Sequence, residues 1–175
     1  MYEHTYPKKR FQITMDFLNK HIPKEAKILD LGVQNPLSDL MIKDGYQVQN
    51  TSGVDLDENQ SELQTNTYDV MTAFEIFEHL LNPYTVLKKC TAKTVVISVP
   101  LRLWFAPAYR SKTDMRDRHY HEFEDWQLDW LLDKCGYKIT ARKKWAHGVN
   151  KLGIRPLLRK FTPRYYMVLA EKNLR

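Results

Sequence analysis

The segment Lys93-Thr-Val-Val-Ile-Ser-Val-Pro100 limits the fold more than any other stretch of the chain. Its β-branched residues run on without regular polar alternation, so a strand made from it needs apolar cover on both faces. Such strands belong in a parallel sheet between helices. Two weaker runs match it: Ala26-Lys-Ile-Leu-Asp-Leu-Gly32, stopped by glycine, and 68–74 (YDVMTAF). Helical patterns lie between and around them. Phe11, Ile13, Met15, Phe17, Leu18 and Ile22 suit an amphipathic helix that Pro23 ends. Asn35-Pro36 offers an N-cap and a first-turn proline for a helix over 37–43, closed near Asp44-Gly45. A strand is expected over 46–51 and helices over 83–90 and 122–134, the last closed by Gly136. Strands near 137–143 and 165–170 finish the chain. This alternation predicts an α/β fold whose sheet is mostly parallel, with an antiparallel hairpin at its C-terminal end.

A chain of 175 residues without repeats or a Gly/Ser linker suits a single domain over 1–175. Nothing approaches the roughly 18 consecutive apolar residues of a spanning helix. No apolar h-region follows the basic N-terminal cluster, and Cys90 and Cys135 lack any metal-ligand spacing. A cytoplasmic protein is expected. The net charge of +6 is unevenly placed: positions 138–175 hold eleven Lys and Arg against Glu171 alone, leaving −4 for the rest. That basic C-terminal portion reads either as a solvated cationic face or as a surface for an anionic partner: nucleic acid, a phosphorylated metabolite or a membrane surface.

Four places in order then resemble the class I S-adenosylmethionine (SAM)-dependent methyltransferases, particularly small bacterial ones with an E-x-x-E-H-L segment after the central strand. They are Ile28-Leu-Asp-Leu-Gly32; Tyr68-Asp-Val70 running into Phe74-Glu-Ile-Phe-Glu-His-Leu80 and Asn82-Pro83; Val96-Ile-Ser-Val-Pro100; and His121-Glu-Phe123 leading to Leu131-Leu132 and Gly136-Tyr137. The resemblance implies a Rossmann-like methyltransferase sheet, SAM as cofactor, and an acceptor that is a small or anionic molecule. The sequence departs from the family in two ways. The pattern [D/E]-x-G-x-G-x-G keeps Asp30 and Gly32 but has Gln34 and Pro36 for the later glycines. The stretch between the first and central strands is also shortened, with room for one helix and one strand.

By that resemblance Asp30, Gly32, Val33 and Gln34 form the cofactor turn, and Phe74 and Glu75 lie against the cofactor. Asp55 and Asp57 are the acids about twenty residues past the glycine turn, where Rossmann-type sites bind ribose hydroxyls. His79 is the candidate general base, because imidazole titrates near neutral pH. The long 101–120 connection mixes aromatics with arginines and is expected to bind the acceptor through Trp104, Phe105 and Arg116. Methyl transfer is an in-line displacement at an already activated carbon, so no resident metal is expected. Two alternatives use the same residues. One is a degenerate methyltransferase fold kept as a non-catalytic binding module, with Lys151–Phe161 as its partner surface and Pro156 opposing one long amphipathic helix there. The other is a metal-assisted RNA ribose methyltransferase, whose E-x-x-E-H motif resembles Glu75, Glu78 and His79, with His119 or His121 as a further ligand.

Overall fold

A computed structural model describes residues 7–65, 67–115, 117–148 and 152–173, organised around one six-stranded sheet. In chain order the elements are α1 (Lys8–His21), β1 (Lys27–Asp30), α2 (Pro36–Lys43), β2 (Gln47–Asn50), β3 (Val70–Phe74) and α3 (Pro83–Lys89). Then come β4 (Thr94–Pro100), α4 (Asp125–Lys134), β5 (Tyr137–Ala146), α5 (Ile154–Phe161) and β6 (Pro163–Lys172). The strands lie in the order β2-β1-β3-β4-β6-β5. The first four are parallel; β6 runs antiparallel to β4, and β5 antiparallel to β6. This is the expected parallel sheet with a C-terminal antiparallel hairpin.

Side chains alternate across the sheet with a period of two, and each set has its own cover. Leu29, Met71, Ala73, Val95, Ile97 and Val99 join Val86 and Leu87 of α3 and Leu128 and Leu132 of α4 in one core. Ile28, Val70, Val96, Met167 and Leu169 join Phe11, Met15 and Leu18 of α1 and Met41 of α2 in the other. The unalternating run in β4 is thus accounted for, since both of its faces are core.

Local signals set the helix boundaries. Asn35 Oδ1 accepts from the backbone N–H groups of Leu37 and Ser38, and Ser38 Oγ accepts from the Asn35 N–H, a reciprocal cap. Asn82 caps α3 ahead of Pro83 by a one-way bond, its Oδ1 accepting from the N–H of Thr85. The helix expected from 122 begins at Asp125, because Glu124 is its extended cap residue and Gln127 closes the capping box. Between β2 and β3 the described residues form no further strand, only a 3-10 turn, Ser61–Gln64, and β2 is an edge strand of the sheet. Pro156 opposes one long amphipathic helix over 151–161, and the described part of that segment contains a helix of eight residues, α5. Pro156 is its third residue, where the missing N–H has no intrahelical acceptor to lose.

Candidate functional site

From β1 the chain turns to one side to build β2, and later returns on the other side to build β3. The crevice beyond the carboxyl ends of β1 and β3 is therefore a topological switch point, where open α/β sheets bind ligands. Both strands leave it through a left-handed residue, Gly32 at φ +100° and Glu75 at φ +58°. Glycine adopts this conformation freely, but a glutamate there stores of order 1–3 kcal/mol of strain, a cost that persists chiefly at functional sites.

A cavity of about 260 Å³ opens between these two turns. Its wall contains Asp30, Gly32 and Val33 from the first, and Phe74, Glu75, Ile76 and His79 from the second. Ser98 of β4, Arg10, Phe11 and Thr14 of α1, and Leu31, Asn35 and Leu37 after β1 complete it. Neighbouring groups hold each polar side chain in place. Thr72 Oγ1 donates to Asp30 Oδ1 at 2.6 Å, and Asn50 Nδ2 bridges Asp30 Oδ2 and the Gly32 carbonyl at 3.1 and 3.2 Å. The Gly32 N–H donates to Thr51 Oγ1 at 2.8 Å. Burial pushes the Asp30 carboxyl up to about 6 despite these hydrogen bonds. Ser98 Oγ donates to Glu75 Oε1 at 2.8 Å, and Arg10 Nη1 lies 3.5 Å from Glu75 Oε2. Burial raises the Glu75 carboxyl as well, with the Arg10 charge and the Ser98 hydroxyl opposing it.

A 3-10 turn, Phe77–His79, follows directly. His79 Nδ1 is 2.9 Å from the Arg118 carbonyl oxygen, which can only accept, so Nδ1 carries the proton and Nε2 the lone pair. Nε2 lies 3.8 Å from Glu78 Oε1, and the His119 ring packs edge-on at 4.8 Å. One ligand atom each from Glu78, His79 and His119 lie within 4.8 Å of one another. Glu78 Oε2 and His119 Nδ1 are buried without a hydrogen bond among the described residues. Burial, reinforced by the neighbouring Glu75 charge, holds the Glu78 carboxyl well above the usual range, and burial lowers the His119 imidazole. Two imidazoles and a carboxylate are a donor set that borderline divalent ions accept. Glu75 stands outside this trio, engaged with Ser98 and Arg10, so the four-ligand arrangement of the RNA-type alternative is not assembled.

Of the residues expected at the cofactor turn, Asp30, Gly32, Val33, Phe74 and Glu75 meet around the cavity, and His79 joins them. Gln34 does not, because its side-chain amide donates to Asp39 at 2.6 Å. Asp57 instead accepts the backbone N–H groups of Leu81 and Asn82, both at 2.8 Å, pinning its loop to the turn after β3. Asp55 accepts from the Asp57 N–H within its own turn. The long connection divides. Trp104 lies in a second groove with Arg102, Lys144 and Pro163, whereas its far end meets the site through His119 and the Arg118 carbonyl. Arg116 lies outside the described residues. Sequence reasoning missed Arg10, Asn50, Thr51 and Ser98. Only Ser98 left a readable signal, as a hydroxyl within an otherwise apolar strand.

Sheet order, the switch-point crevice and the hairpin together define the Rossmann-like fold of the class I SAM-dependent methyltransferases. Solved structures of that fold superpose on most of the chain. A Burkholderia thailandensis 1,6-didemethyltoxoflavin N1-methyltransferase, solved with 1,6-didemethyltoxoflavin and S-adenosylhomocysteine, is similar at a TM-score of 0.65 and 16% identity, over 95% of this chain and 80% of that one. A SAM-dependent methyltransferase of Mesorhizobium loti gives 0.55 and 13% over 90% and 96%. The [4+2]-cyclase SpnF gives 0.60 and 11% over 99% and 85%, a reminder that fold and reaction separate. No family model matches the sequence, and no curated protein matches it significantly.

Proposed function

We propose that the chain is a cytoplasmic SAM-dependent methyltransferase acting on a small or anionic acceptor, with no resident metal. One observation carries the reading: a cavity at the switch point walled by Gly32 and two carboxylates, the buried Asp30 and the half-buried Glu75. The wall fits SAM chemically. Carboxylates suit its sulfonium and ammonium charges, Arg10 suits its carboxylate, and Phe11, Leu37 and Ile76 suit a purine ring. The volume falls just under the roughly 300–1,000 Å³ of small-molecule sites.

When bound, SAM supplies an electrophilic methyl group on sulfur. The protein's own residues align and shield. The Glu75 turn, held by Ser98, positions Phe74 and Ile76 against the ligand, and α1 covers the cavity and keeps water out. His79 accepts the acceptor's proton at Nε2, since Nδ1–H is committed to the Arg118 carbonyl. Cofactor contact is assigned to Asp30, Gly32, Val33, Phe74 and Glu75, and is not extended to Gln34, Asp55 or Asp57, whose side chains are engaged elsewhere. Two free, buried cysteines suit a reducing compartment.

The test is a thermal melt with S-adenosylhomocysteine, confirmed by calorimetry. At a hundredfold over the dissociation constant, binding stabilises the fold by about 2.7 kcal/mol. For a chain of this size, that raises the melting temperature by about 5–11 °C. Excess chelator leaves the shift intact, Glu75→Gln diminishes it, and His79→Gln preserves it. No shift and no heat with the unaltered protein would remove the enzyme reading and leave the binding module.

A further inference from the structure

Helix α5 presents its apolar side outwards. At about 100° per residue, Ile154, Leu157, Leu158 and Phe161 share one face, while Arg155, Pro156, Arg159 and Lys160 occupy the other. A surface helix normally turns such a stripe to the core. Here no residue of α5 is buried, and Ile154, Leu157 and Phe161 are 79%, 55% and 78% exposed. Leu152, just before the helix, is fully exposed as well. The half-buried positions are Pro156 and Arg159, on the basic side, and Leu158, on the apolar one.

Charge decides what covers this face. No acidic residue occurs between Lys138 and Ala170, so a second copy meeting it through the same patch would bring like charges together. A nucleic acid would match the charge but leave the aliphatic and phenyl groups in water. Apolar side chains flanked by Arg and Lys match an anionic bilayer surface, where the former enter the acyl boundary and the latter meet headgroups. Trp104, 75% exposed, lines the groove that also includes Thr162 and Pro163 at the end of α5, and tryptophan favours this interfacial layer.

We propose that α5 is an interfacial helix that docks the protein reversibly on anionic lipid. It lies at the same edge of the sheet as the cavity, since Tyr165 at the start of β6 pairs with Pro100 at the carboxyl end of β4. The docking does not depend on the methyltransferase reading, and the melt with S-adenosylhomocysteine tests that reading separately.

Flotation of the full chain with vesicles tests the docking. The protein is expected to float with vesicles of phosphatidylcholine mixed with phosphatidylglycerol but not with phosphatidylcholine alone, and added salt should weaken the association. Phe161→Glu and Leu157→Glu, both at exposed positions, should each reduce partitioning about tenfold or more, because a large apolar side chain no longer enters the acyl layer. Their melting temperatures should stay at the parent value. Arg155→Glu paired with Lys160→Glu should act in the same direction. Failure of the parent protein to float, or flotation indifferent to Phe161→Glu and Leu157→Glu, overturns the proposal. So does a dimer in analytical ultracentrifugation that either apolar substitution dissolves.

Discussion

Asp30 stands at the carboxyl end of β1 almost wholly out of water, with its carboxyl pushed up to about 6 by burial. An aspartate in an unfolded chain titrates near 3.9. The folded protein therefore holds this proton more tightly, and the penalty for ionising Asp30 is absent below about pH 4. It grows as pH rises from about 4 to about 6 and is complete above that, at about 3 kcal/mol. Asp30→Asn removes this dependence. Urea unfolding at a series of pH values should show the variant gaining about 3 kcal/mol relative to the parent between about pH 4 and 7. Parallel stability profiles would mean that Asp30 keeps an ordinary carboxyl. A fold that tolerates such a penalty at neutral pH gains something other than stability from the residue, consistent with its place in the cavity wall.

The turns joining the elements carry constraints that the elements themselves do not. Gly53, just after β2, has φ +85°, and a Cβ built there would come within 2.5 Å of Val33 Cγ1. Gly53→Ala combines left-handed strain with a clash against a cavity-wall residue. It should lower stability by about 1–3 kcal/mol and weaken S-adenosylhomocysteine binding through displacement of Val33, measurable by urea unfolding and calorimetry. Sequence alone identified α2, α3 and β4, because Asn-Pro caps and an unbroken β-branched run act over a few residues. It passed over α5, whose helix is specified by an eight-residue pattern interrupted by a proline. Spacing alone points to Asp57 as a ribose ligand, and does not show that its carboxylate accepts from the N–H groups of Leu81 and Asn82, more than twenty residues away in the chain.

Two cores share one sheet, and Leu18 belongs to the one on the α1 side. Leu18 of α1 has no accessible surface and packs within that core. Leu18→Ala should cost about 2–5 kcal/mol from the lost burial and the cavity left behind, against a total stability of about 5–15 kcal/mol. Urea unfolding would register it as a lower midpoint at unchanged slope, and a loss under about 1 kcal/mol would show that α1 packs loosely. Because α1 also carries Arg10 and Phe11 to the cavity, the same variant should bind S-adenosylhomocysteine less tightly. The sequence by itself determined the strand set, the parallel class of the sheet and the Asp30–Gly32 and Glu75–His79 turns, since apolar runs, caps and glycine breaks act locally. Only the tertiary structure decided that Arg10 reaches Glu75, that Asn50 and Thr51 hold the Gly32 turn, and that His119 packs on His79. Those pairings depend on strand order and on where a long connection returns. A side chain tens of residues away leaves no periodic trace in the segment it will meet.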